Sequence, residues 1–186
     1  MIYELHITVK TDSIDKFKDD CKSIGVKPIV IDTQKGETQV MTSSQYNNFD
    51  YKLTLSELKS KLESLKYNIL RCKVEIKPDN IKNENFIYYE SHIRLKLNKF
   101  FDKTSLKEKC LKDNFHLSKN LFKKDIDFDY QMITYRNYFQ TFNEFNSIID
   151  NMKSYLTENK IEYDKIEIEE CILDTNVNID SKWINN

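Results

Sequence analysis

Residues 4–10 read ELHITVK and residues 90–97 read ESHIRLKL, so a glutamate followed two places on by His-Ile occurs twice. The chain has three histidines, and two of them, His6 and His92, occupy these matching places. An imidazole titrates near neutral pH and can give or take a proton there. Two of them facing one space could divide the work, one activating a water or hydroxyl and the other protonating a leaving oxygen. The third, His116, lies in FHLSKN with Ser118 and Asn120 and reads as an accessory to that pair.

The segments that carry these residues alternate polar and apolar side chains, which is the period of a half-buried strand. In the first, Tyr3, Leu5, Ile7 and Val9 take the apolar face and leave Glu4, His6, Thr8 and Lys10 on the other; in the second, Glu90, His92, Arg94 and Lys96 share the polar face. Between them, SIDKFKDDCKSI (13–24) and TLSELKSKLESL (54–65) carry apolar residues at helical spacing, the second behind a Thr54 capping box. KPIVID (27–32), TQVMTSSQ (38–45) around a QKGE turn, and ILRCKVEIK (69–77) read as strands, giving the order βαββαβ.

The second half repeats that order, with a Ser105 to Glu108 capping box on its first helix. QVMT (39–42) parallels QMIT (131–134) and KVEI (73–76) parallels KIEI (165–168), both offset by 92 residues, whereas the two histidines are offset by 86. A tandem duplication of a ferredoxin-like unit accounts for this, with units at 1–80 and 85–176, a linker PDNIKNEN (78–85) and a tail 177–186. The expected fold class is α+β: two antiparallel sheets, helices outside, and a charged cleft between two open sheet faces. Thr42, Ser44, Thr134 and Arg136 are expected to neighbour the histidines there, and Lys73, Glu75, Lys165, Glu167 and Glu169 to lie on the exposed faces of the closing strands.

Composition narrows the chemistry. The formal charge is −1, from 29 basic and 30 acidic residues, so nothing global draws the chain to nucleic acid or anionic lipid. Two glycines in 186 residues exclude Gly-rich phosphate loops, and four cysteines without a CxxC pair read as core thiols. No apolar run approaches the roughly 20 residues of a membrane span, and the start lacks a signal peptide's apolar stretch, so a cytoplasmic protein with no membrane partner is expected. Trp183 in the tail reads as a packing residue.

The HIT of residues 6–8 resembles the His-x-Thr/Ser signature of the two-histidine phosphoesterases, whose members carry one such motif in each of two duplicated lobes. The second motif is HIR, with Arg94 in the place of the hydroxyl residue. The resemblance implies cleavage of a cyclic or RNA-derived phosphodiester without metal or cofactor, with His6 and His92 catalytic and a nucleotide or RNA end as ligand. Thr8, Arg94, Lys96, Lys73, Arg136, Thr134 and His116 are the expected substrate-binding residues.

Two other readings fit the same residues. His6, Glu75, His92 and Glu167 supply one imidazole and one carboxylate from each half, a divalent-metal set similar in ligand type to that of vicinal-oxygen-chelate enzymes. Arg94, Arg136, Lys73 and Lys96 could instead serve a non-catalytic module that captures a small anion.

Overall fold

The computed structural model describes residues 1–33, 38–47, 50–78, 83–121 and 125–180. The QKGE turn, linker residues 79–82 and Trp183 lie outside the described residues. The first half comprises β1 (Tyr3–Lys10), α1 (Ile14–Ser23), β2 (Lys27–Thr33), β3 (Thr38–Tyr46), α2 (Tyr51–Ser64) and β4 (Asn68–Ile76). The second comprises β5 (Tyr88–Asn98), α3 (Thr104–Lys112), β6 (His116–Asn120), β7 (Phe128–Asn137), α4 (Phe142–Glu158) and β8 (Tyr163–Asp174), followed by a 3-10 turn at Val177–Asp180.

The expectation of two sheets with open faces is overturned. All eight strands join one closed antiparallel barrel in the order β1-β3-β2-β6-β7-β5-β8-β4. Closure needs two seams between the halves. β2 pairs with β6 through Ile31↔Asn120 and Thr33↔Ser118, and β4 pairs with β8 through Lys73↔Asp174 and Ile76↔Glu170. A free sheet edge leaves a row of backbone donors and acceptors unpaired, and these seams join such edges. The polar faces therefore line a lumen rather than a cleft.

The barrel is apolar outside and charged inside. Phe17 and Cys21 of α1 with Leu55, Leu58 and Leu62 of α2 cover Leu5, Ile7, Val9, Val30 and Val74. Leu106, Cys110, Phe145, Ile149 and Met152 cover Ile93, Leu95, Leu97 and Ile133 in the second half. An eight-stranded barrel is just wide enough for its inward side chains to fill, and here those side chains are largely polar. All four cysteines are free and buried.

Helix ends follow local chemistry. α1 is capped by Ser13, whose hydroxyl oxygen accepts from the Lys16 amide. α2 begins three residues before Thr54 because the Asp50 carboxylate accepts from the Lys52 and Leu53 amides. At α3 the Ser105 box is not used; Asp102 takes the Thr104 amide and hydroxyl instead. Each helix is followed by a residue of positive φ, at Gly25, Lys66, Asn114 and Lys160, the left-handed turn that closes a helix C-terminus.

Candidate functional site

β1 and β4 pair so that Glu4 lies opposite Glu75 and His6 opposite Lys73. β5 and β8 pair so that Glu90 lies opposite Glu169 and His92 opposite Glu167. Each histidine thus meets two carboxylates in matching geometry. His6 Nε2 is 3.2 Å from Glu75 and 3.4 Å from Glu4, and His92 Nε2 is 3.4 Å from Glu90 and 3.6 Å from Glu169. The other nitrogens are also engaged: His6 Nδ1 is 3.2 Å from the Thr42 carbonyl oxygen and His92 Nδ1 is 3.1 Å from Thr134 Oγ1.

Lys73 joins the two sets, its ammonium 2.8 Å from Glu75 and 2.7 Å from Glu90. Glu90 also receives Arg136 through Nε and Nη2 at 2.9 and 2.7 Å. Glu75 is fully buried and lies within ion-pair range of Lys73 and His6, yet neither of its oxygens takes a well-directed hydrogen bond. Four carboxylates therefore contact the imidazoles, while Lys73 and Arg136 are the permanent cations touching them.

Protonation reflects that imbalance. Burial, followed by the nearby Glu75 charge, pushes the Glu169 carboxyl up to about 8. Burial opposes charge on His92, but the hydrogen bond and charge of Glu90, with Glu169 behind them, raise it to about 9. Glu90 is held well below the usual carboxylate range by Arg136 and Lys73, which outweigh its burial. Ligand atoms of Glu75, Glu90 and His92 lie within 4.8 Å of one another, close enough to share one metal ion.

A cavity of about 150 Å³ runs beside this cluster, walled on one side by Ile29, Ile31, Met41 and Met132. In its wall Asp180 of the 3-10 turn is tied to Gln39, Arg71 and Arg136.

Of the expected site residues, His6, His92, Thr8, Lys73, Thr134 and Arg136 line the cavity. Arg94 does not: its guanidinium grips Asp164 through Nε and Nη2 at 2.5 and 2.9 Å, toward solvent. Lys96 is also outside the cavity, its ammonium over the Phe128 ring at 3.9 Å. His116 is half-buried on β6 and outside the lining, although its neighbours Ser118 and Asn120 are in it.

Thr42 and Ser44 face the core because they pair with Ile7 and Leu5, and Ser43 and Gln45 take the places beside His6 and Glu4. In β7, Met132, Thr134 and Arg136 face the lumen. The equivalence is thus Ser43 with Thr134, one residue away from the match of QVMT to QMIT, and a one-residue slip exchanges the faces. In the closing strands Glu75 corresponds to Glu169, and of the expected metal set Glu75 and His92 meet, joined by Glu90 rather than by His6 or Glu167. Glu167 instead pairs with Lys165.

No family model and no curated protein matches the chain. Several solved structures are similar at low identity. A Fusobacterium nucleatum protein named for a proposed monooxygenase activity has 12% identity and a TM-score of 0.36 over 93% of this chain and 92% of its own. The acetolactate synthase small subunit of Thermotoga maritima has 12% identity and a TM-score of 0.35 over 94% and 96%. An unknown protein from Galdieria sulphuraria has 15% identity and a TM-score of 0.30 over 91% and 99%. Likenesses this distant carry no argument about chemistry.

Proposed function

We propose that the chain is a metal-dependent enzyme whose barrel holds a divalent cation on Glu75, Glu90 and His92 and presents it to a small oxygen-bearing organic ligand in the adjoining cavity. The observation that carries this reading is the meeting of two Glu-Glu-His sets in one lumen where carboxylates outnumber fixed cations. Buried carboxylates need a counter-charge, and here part of that need is met by protons on Glu169 and His92. Two carboxylates and one imidazole suit a borderline or hard ion such as Mn²⁺ or Zn²⁺. The ion would act as a Lewis acid on a ligand oxygen, with Ile29, Ile31, Met41 and Met132 against the ligand's apolar body.

The phosphodiester reading gains less support. The cation that lies beside the histidines, Lys73, is shared between the chain's own Glu75 and Glu90. The cavity, at about 150 Å³, also falls below the 300–1,000 Å³ typical of pockets for larger ligands.

Four free buried cysteines suit a reducing compartment and support a cytoplasmic location. Among the described residues, no helix is long and apolar enough to cross a membrane.

Titration calorimetry with Mn²⁺ and Zn²⁺ tests the reading. One ion per chain is expected, bound at least about 100-fold more weakly by His92→Ala, since losing even an outer partner of a ligand costs 10–100-fold. Absence of binding by the wild type, or equal binding by the variant, would sink it.

A further inference from the structure

Three side chains of the lumen wall converge on the carboxylate of Asp180. Gln39 Nε2 donates to Asp180 Oδ1 at 2.9 Å, and Arg71 Nη1 and Arg136 Nη2 both donate to Oδ2 at 2.7 Å. These three donors come from β3, β4 and β7 and converge on one carboxylate in the wall of the cavity. We propose that they form a carboxylate-binding subsite for a small organic acid, and that Asp180 occupies it as an internal stand-in for that acid.

The carrier of the carboxylate is slight. Asp180 sits in a four-residue turn after β8, and it is the only residue of 175–180 that is fully buried. Its burial rests on its pairing, since acidic residues are almost never fully buried unless paired, and all three donors belong to the lumen wall. The cradle, by contrast, is rigid. Arg71 is held by Asp174 through Nε and Nη2, Tyr88 donates to Asp174 at 2.6 Å, and the Arg136 guanidinium lies over the Tyr88 ring at 4.3 Å.

Asp180 also leaves the subsite incompletely filled. Arg136 is 1% exposed, and its Nη1 has no hydrogen-bond partner among the described residues. A buried guanidinium nitrogen without an acceptor costs free energy, and an acid bearing a further oxygen would satisfy it. The apolar wall of Ile29, Ile31, Met41 and Met132 begins beside the cradle, so the ligand class is a compact acid with an apolar body. Its size is bounded by the cavity, about that of an engineered cavity that admits benzene. Arg136 Nη2 also reaches Glu90 at 2.7 Å, so the subsite adjoins the Glu and His cluster, and the test is run in EDTA to read it without an ion.

The test uses acetate as the probe, in EDTA, with chloride at equal ionic strength and acetamide as controls. A tethered group competes at an effective concentration in the millimolar range or above, so Asp180→Ala is expected to bind acetate at least about tenfold more tightly than the wild type. Acetate should also raise its melting temperature where acetamide and chloride do not. In the wild type, acetate should speed hydrogen exchange of the amides of residues 177–180 as the turn is displaced. No acetate-specific effect on Asp180→Ala overturns the subsite. Rescue of the variant with no change of exchange in the wild type overturns the stand-in role and leaves a structural ion pair. Asp180→Asn, which keeps the shape, replaces Asp180→Ala if the latter does not fold, with the same two readings.

Discussion

Replacing Lys73 by methionine separates the two things its ammonium could be doing between Glu75 and Glu90. Without metal, Lys73 is the cation those carboxylates share, at 2.8 and 2.7 Å. Removing one partner from a buried ion pair costs about 3–5 kcal/mol because a charge is left uncompensated. At about 2–4 °C per kcal/mol for a chain of this length, the melting temperature in EDTA should fall by roughly 6–20 °C. A divalent ion on Glu75, Glu90 and His92 takes the place of the ammonium, so the metal-bound variant loses little. The thermodynamic cycle then requires that what the apo variant loses in stability it gains in metal affinity, about two to three and a half decades at 1.4 kcal/mol per decade. Urea unfolding with EDTA or saturating Mn²⁺, beside calorimetric titration, measures both legs. An equal loss of stability with and without Mn²⁺, and no gain in affinity, would refute the claim that ion and lysine share one place.

Arg94→Ala is expected to leave ligand and metal binding unchanged and to cost no more than about 1 kcal/mol, the range of solvent-exposed pairs, because its guanidinium grips Asp164 outside the cavity; a collapse of ligand binding in calorimetry would restore it to the site. On the outer surface, Asp129 is held down at about 2 by hydrogen bonds from Lys103, Lys119 and Gln131 that outweigh its burial. Its folded pKa lies below the unfolded value, so its contribution is present above about pH 4 and is lost as pH falls toward 2. Asp129→Asn should flatten the acid limb of a urea stability profile in that window, and an unchanged limb would contradict the assignment.

What could be read from the sequence was whatever depends on local period. Alternation in β1 and β5 put Glu4, His6, Glu90 and His92 on one kind of face whatever the partner strands did, and the helix stripes at Phe17 and Cys21 or Leu58 and Leu62 came from the same sort of rule. Properties set by register were not legible. Matching QVMT to QMIT by letters gave Thr42 a place that pairing gives to Ser43, and the match of KVEI to KIEI put Glu167 where Glu169 stands. Irregularities in the pairing at Thr8/Val9, Val74/Glu75 and Arg94/Leu95 shift the strands in ways no local pattern records.

Closure of the barrel rests on two seams between residues about 90–100 apart in the chain, such as Ile31 with Asn120 and Lys73 with Asp174, and the βαββαβ order does not specify them. Asp180 carried no signal in LDTNVNID; its role exists only because β3, β4 and β7 bring Gln39, Arg71 and Arg136 to one point. Glu4 and Glu90 were legible as neighbours of the histidines, each two residues before one on the same strand face, and only their role in the site was not assigned.

The most direct measurement is pulsed electron paramagnetic resonance of the protein loaded with one equivalent of Mn²⁺. The account predicts a modulation from one directly bound imidazole nitrogen, lost in His92→Ala and kept in Arg94→Ala. A Mn²⁺ signal without nitrogen coupling in the wild type, or a coupling that survives His92→Ala, would contradict it.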